Sequence, residues 1–152
     1  MKLKVIHTNS ENSDFITLGQ MMDKEVDNYI NPTEVEKFAY SLDNIENCFV
    51  AYNNNQPVGC GCFKPFKLSI AELHKVYTIP AYRANGVCHA IIKNIEKVAK
   101  SCGYKTLVLE TSKEMQSSSP SVKVYEKLGY KIIKNFPPYI DENESICMAK
   151  DL

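Results

Sequence analysis

Six consecutive residues, Arg83-Ala84-Asn85-Gly86-Val87-Cys88, carry the clearest chemistry in this chain. They lie between a strand-like run and a helix-like run. Residues 70–79 mix β-branched and aromatic types with alternating character, which predicts a strand. Pro80 has no N–H for a ladder and closes that strand. From Val87 onward Val87, Ala90, Ile91, Ile95, Val98, Ala99 and Cys102 recur at helical spacing, and Gly103 stands where a C-terminal glycine belongs. The start of a helix aims unpaired N–H groups and a positive dipole end at one point, which is a site for an anion. Gly86 lets the backbone approach a bulky anion, and Arg83 adds a forked cation just upstream. A diphosphate is the natural guest. The same strand-turn-helix is also common in α/β domains whose helix ends meet only water or a cap.

Two further groups on the predicted strand could move protons. Glu72 and His74 share one face by alternation, and either a carboxylate or an imidazole can serve as a general base. Cys88 stands at a helix start, where a thiol becomes more acidic. Cys–His catalysis with His89 is geometrically poor, because adjacent helix residues point about 100° apart. Cys88 therefore reads as packing around the anion.

The rest of the chain must position these groups. Residues 2–7 predict a strand, with Leu3, Val5 and His7 on one face. A helix follows, capped by Ser13 or Asp14, with Phe15, Leu18, Met22, Val26 and Tyr29 as its apolar stripe. Asn31-Pro32 breaks it, and Thr33-Glu-Val-Glu36 is a capping box for a second helix. Cys48–Tyr52 and Pro57–Phe63 predict a hairpin around Asn53–Gln56, with Lys64–Lys67 as the next connection. Gly59 and Gly61 are poor strand residues and point to close backbone approach or a bulge. Lys105–Thr111 is a strand, and Ser112–Ser121 a polar loop leading to a helix cap. Val122, Tyr125 and Leu128 mark a short helix ended by Gly129, and Tyr130–Ile133 and Ser145–Ala149 are the last strands.

The totals narrow the class. The 152 residues suit one domain spanning 1–152, and a 44% hydrophobic content supplies a core. Eighteen Lys and Arg against eighteen Asp and Glu leave no surplus charge for nucleic acid as the main partner. Cysteines 48, 60, 62, 88, 102 and 147 sit mostly in apolar runs, and no apolar signal core opens the chain. These features predict a reduced, cytoplasmic protein. No Cys-x-x-Cys occurs, the three histidines lack metal spacing, and no run approaches the ~20 apolar residues of a membrane span, so neither metal nor membrane is expected.

Arg83-Ala-Asn-Gly86-Val-Cys88 resembles the Arg/Gln-x-x-Gly-x-Gly/Ala signature of the GCN5-related N-acetyltransferases (GNAT). Ala71–Tyr77 is similar to the family's fourth strand, Gly103–Thr111 to its fifth, and Val124-Tyr-Glu-Lys-Leu-Gly-Tyr130 to its Tyr-x-x-x-Gly-Phe/Tyr segment. The resemblance covers roughly residues 46–151, and the tail from Pro138 to Lys150 resembles one bacterial branch of the family. It departs at Cys88, where the family prefers Gly or Ala and where a small residue lets the phosphates approach.

The resemblance implies an α/β (α+β) GNAT fold: a mixed, mostly antiparallel sheet of six or seven strands with about four helices on its two faces. It implies acetyl-CoA as co-substrate, held by Val76, Tyr77, Thr78, Arg83, Ala84, Asn85, Gly86, Val87, Cys88 and Tyr125. It implies direct acetyl transfer to a primary amine of a small molecule or peptide. Glu72 is then the base, with His74 as its rival; Tyr125 protonates the departing thiolate, and a backbone N–H near Val76–Thr78 holds the oxyanion. The first helices would wall the acceptor site with Met21, Met22, Asp23, Glu25, Asp27 and Tyr29, either as an acidic rim or as a solvated face. Glu72 could instead be a structural partner of Lys75 or Arg83. The alternative to an enzyme is a non-catalytic acyl-CoA sensor or subunit of the same fold. A homodimer stays open.

Overall fold

The computed structural model describes residues 1–27, 45–113 and 120–152. The expected helix at 33–42 with its capping box, the wall residue Tyr29 and residues 114–119 of the serine-rich stretch lie outside the described residues.

Among the described residues seven strands form one sheet. In chain order they are β1 (Leu3–Thr8), β2 (Asn47–Asn53), β3 (Gln56–Lys67), β4 (Ile70–Thr78), β5 (Thr106–Ser112), β6 (Lys131–Ile133) and β7 (Ser145–Asp151). Their order across the sheet is β1-β2-β3-β4-β5-β7-β6, antiparallel throughout except for β4 with β5. Three α-helices are described, α1 (Ser13–Asp27), α2 (Val87–Ser101) and α3 (Ser121–Lys127), with a 3₁₀ turn at Pro80–Tyr82. The mixed, mostly antiparallel sheet matches the sequence expectation.

The two faces of the sheet hold separate apolar layers. Ile91, Ile92, Ile95 and Ala99 of α2 pack on Phe49, Phe63, Leu73 and Leu107. Two glycines set how closely α2 lies. A Cβ on Gly59 would stand 2.7 Å from Val87 Cγ1 and 2.8 Å from the Tyr77 carbonyl oxygen, and one on Gly61 would stand 3.0 Å from Ile91 Cγ2. On the other face Phe15 and Leu18 of α1 cover Cys48, Val50, Cys60, Cys62 and Tyr77. Beside them Phe136 and Tyr139 cover Val108 and Cys147.

Hairpin β2–β3 turns at Asn54 and Asn55, both left-handed (φ 49° and 69°), as the two asparagines predict. Two expectations need correction. The first concerns Lys64–Lys67, which is not a connection: β3 continues to Lys67, with Pro65 opposite Ala71 and a register shift before Lys67. A strand tolerates proline at such an irregularity, and Phe66 anchors this end with its ring 5.0 Å from that of Phe136. The second concerns the cap of α1, which is Asn12 and neither Ser13 nor Asp14: Asn12 Oδ1 accepts from the Phe15 amide at 3.0 Å.

Among the described residues no helix is long and apolar enough to cross a membrane. All six cysteines are free, and Cys48, Cys60, Cys62 and Cys147 are fully buried.

Candidate active site

The site is a gap in the sheet. β4 and β5 pair only at Ile70–Thr106, Ala71–Leu107 and Glu72–Val108. Beyond Glu72 the two strands part, while β4 keeps β3 on its other side and β5 keeps β7. Backbone groups of β4 from Leu73 to Thr78 therefore face the gap without a strand partner on that side.

A bulge re-aims β4 within this stretch. Between Cys60 and Cys62 the β3–β4 register shifts, and Lys75 takes a left-handed φ of 51°. A bulge leaves carbonyls outside the regular ladder. Here Cys60 Sγ donates to the Lys75 carbonyl and Cys62 Sγ to the His74 carbonyl, each at 3.3 Å. Burial pushes the Cys60 thiol up to about 12, so it keeps the proton it donates.

The turn after β4 uses two more left-handed residues, Ala84 (φ 61°) and Gly86 (φ 80°). Gly86 is the N-cap of α2 and brings no side chain to cap it; space beside its Cα is open. The first amides of α2 are therefore not claimed by a capping side chain. Asn85 folds back, donating to the Arg83 carbonyl at 2.9 Å.

Arg83 is held within the protein. Its Nε donates to the Thr78 carbonyl at 3.0 Å, its Nη2 to Glu25 Oε2 at 2.8 Å, and its Cζ lies 5.7 Å from the Tyr77 ring centre. The Lys75 ammonium pairs with Asp23. The two ion pairs fix the C-terminal half of α1 against β4 and the turn that follows it. They also correct the idea that Lys75 or Arg83 is the partner of Glu72.

Two adjoining cavities follow the gap. The larger, about 580 Å³, runs along Val76, Tyr77 and Thr78, past Arg83, Ala84, Gly86, Val87 and Cys88, to Tyr125. Of the residues expected to hold a cofactor, Asn85 alone is not among its lining. The smaller, about 140 Å³, holds Glu72, His74, Lys75 and Glu110. Met22, Val26, Val76, Ser121 and Tyr125 line both, so the cavities meet at Tyr125.

Tyr125 comes from α3, the short helix stopped at Gly129 (φ 98°). Its ring stands edge-on to Tyr130, with centres 5.6 Å apart. Burial first, then the nearby Cys88 and Glu110, raises its hydroxyl well above the usual phenol range, so the group stays protonated and can donate. Burial also pushes the Cys88 thiol up to about 11, opposite to the lowering a helix start alone would give.

Glu72 and His74 are both buried, 5% and 7% exposed. His74 Nε2 lies 3.1 Å from Glu72 Oε2. Among the described residues no cluster of three or more His, Cys, Asp or Glu side chains is placed to hold a metal ion.

Glu110 and Tyr139 are polar groups of the smaller cavity that the sequence did not single out. Glu110 sits in the otherwise apolar stretch Leu107-Val-Leu-Glu110, and a carboxylate there was the available signal. Tyr139 is 1% exposed and reaches the small cavity from the β6–β7 connection. Asn135 fixes that connection by donating to the carbonyls of Tyr139, Glu142 and Ser145.

Comparison with known proteins agrees with the fold. An uncharacterized N-acetyltransferase of Bacillus subtilis, YsnE, is 29% identical over 102 residues, 67% of each chain. A GNAT-family acetyltransferase from Staphylococcus aureus superposes with a TM-score of 0.74 at 16% identity, covering 99% of both chains. The PaiA N-acetyltransferase of Thermoplasma acidophilum, solved in complex with coenzyme A, gives a TM-score of 0.74 at 17% identity over all of both chains. The model of the Acetyltransferase (GNAT) family matches residues 17–130, three quarters of the sequence, and the chain belongs to that acyltransferase family.

Proposed function

We propose that this protein transfers the acetyl group of acetyl-CoA directly to a primary amine of a small molecule or peptide. The observation that carries this reading is the meeting of the two cavities at Tyr125. One is long and ends on an uncapped helix start; the other is small and carries a buried carboxylate.

The residues suit the co-substrate. The uncapped amides of α2, with open space at Gly86, fit a diphosphate. The unpaired edge of β4 offers N–H and C=O groups to an extended, amide-bearing arm, as an added strand would. Cys88 narrows the approach where the family prefers Gly or Ala. Acetyl-CoA supplies an acyl group already activated as a thioester.

The chain's own residues supply proton handling. At pH 7 only about one lysine-like amine in 2,500 is neutral. Glu72, in the smaller cavity, removes a proton directly or through a water. A β4 amide near Val76–Thr78 faces the carbonyl oxygen as it gains charge. Tyr125, protonated and at the junction, donates to the sulfur as the C–S bond breaks. Met22 and Val26 of α1 line the junction.

The test is release of coenzyme A thiol from acetyl-CoA with a panel of amines: a diamine, an aminoglycoside, an amino acid and a peptide with a free N-terminus. Release stimulated by an amine, with that amine acetylated in stoichiometric amount, supports the reading. Tight acetyl-CoA binding without stimulation by any amine class would favour a sensor or subunit.

A further inference from the structure

Glu72 and His74 leave β4 two residues apart on one face, and each is more than nine-tenths buried. Their closest atoms, Oε2 and Nε2, are 3.1 Å apart. The ring is not turned to align an N–H with the carboxylate, and no other hydrogen bond claims Nε2. Catalytic contacts are often loose before substrate binds and tighten afterwards. Both side chains line the small cavity.

We propose that Glu72 and His74 form a single proton-handling unit, in which the carboxylate meets the acceptor amine and the imidazole takes over its proton. This rests on the acetyl-transfer reading above and adds His74 to it as a positioning and relay residue.

The proton count motivates the pair. An ammonium acceptor loses two protons on becoming an amide. The first must leave before the nitrogen lone pair can form the C–N bond. The second leaves as that bond completes and the C–S bond breaks, its electron pair going to sulfur. One proton ends on the sulfur through Tyr125, and the other goes to solvent. A carboxylate that keeps the first proton is a neutral acid and cannot accept the second. If the imidazole takes the first, Glu72 is again a carboxylate, and the buried pair has passed from negative to neutral. Neutral, paired charges are the form a buried site tolerates.

The titratable groups around the pair come from several elements. Lys75, from the bulge, is occupied by Asp23 of α1. Glu110 faces the pair from β5 and Tyr139 from the β6–β7 connection, while Tyr125 of α3 stands at the junction with the larger cavity. Across β3, Cys62 donates to the His74 carbonyl and tethers the backbone under the ring.

Two measurements test the unit. With the fastest amine of the panel, His74→Gln should lower kcat about 10- to 100-fold, leave KM for acetyl-CoA within about twofold, and change the shape of the pH–rate profile. Combining it with Glu72→Gln should cost little beyond Glu72→Gln alone, since residues acting as a unit are non-additive. Wild-type kcat in His74→Gln, or losses that multiply in the double variant, would overturn the unit while leaving Glu72 as base. Full activity of Glu72→Gln would overturn the base reading as well. Independently of turnover, nitrogen-15 spectra of the imidazoles of the apo protein should show Glu72→Gln moving the His74 Nε2 resonance and leaving His7 and His89 in place. An unmoved His74 resonance would overturn the pairing.

Discussion

Arg83 Nη2 donates to Glu25 Oε2 at 2.8 Å, joining the turn before α2 to the C-terminal half of α1. The guanidinium thus acts first on the wall over the larger cavity. Arg83→Ala should raise the Kd for acetyl-CoA several-fold, and Glu25→Gln should reproduce part of that loss. The pair is partly exposed, 33% and 20%, so its coupling should be about 1 kcal/mol or less. Calorimetric titration of both single variants and the double variant checks this. Fully additive losses would show that Arg83 meets the ligand independently of Glu25.

Gly86 is left-handed at φ 80° with no protein atom within 4 Å of a built Cβ. A side chain there costs roughly 1–2 kcal/mol of backbone strain and projects into space the ligand is proposed to use. Gly86→Val should therefore lose most acetyl-CoA affinity while still folding, whereas Cys88→Ala should bind as well as wild type or better. Titration beside circular dichroism separates affinity from folding.

Tyr125→Phe should leave acetyl-CoA affinity nearly unchanged and lower kcat about 10- to 100-fold, because in the proposed mechanism the hydroxyl acts as negative charge develops on sulfur. Its raised pKa also gives a sign. The group stays protonated through neutral and mildly basic pH, so wild-type activity should show no loss from Tyr125 ionisation up to about pH 10. Pre-steady-state and steady-state rates from pH 6 to 10 check both.

The buried thiols predict a stability limit at high pH. Cys60 is raised from 9.0 to about 12 and Cys88 to about 11, both by burial. A raised folded-state pKa contributes stability in full below the unfolded pKa and loses it as pH rises toward the folded value. The thermal midpoint should therefore fall between about pH 9 and 12, and less so in Cys60→Ala after allowance for its lower starting stability. Ellman's reagent at pH 8 should find one fast thiol, the exposed Cys102.

The sequence made the strand-turn-helix from Ile70 to Gly103 legible because three local signals coincide there: alternation, a proline stop and a helical repeat closed by glycine. The Asn54–Asn55 hairpin and the Gly129 stop were readable for the same reason. Where a long-range contact decides, local pattern misleads. Pro65 looks like a breaker, yet β3 passes it because Phe66 is anchored on Phe136. The left-handed Lys75 is supported by thiols from the neighbouring strand, which spacing along β4 cannot show. Glu110 and Tyr139 reach the small cavity through sheet order and a loop. Nor could spacing show that Arg83 is held by Glu25, 58 residues away.

In the proposed mechanism Glu72, in the smaller cavity, removes the acceptor's proton. The most direct test is kcat/KM for the fastest amine against pH, in wild type and Glu72→Gln. The expected result is a loss of about 10²–10⁴-fold in the variant at pH 7, shrinking toward wild type at high pH where the amine is already neutral. A variant that matches wild type at pH 7, or one whose deficit stays constant across the whole pH range, would contradict it.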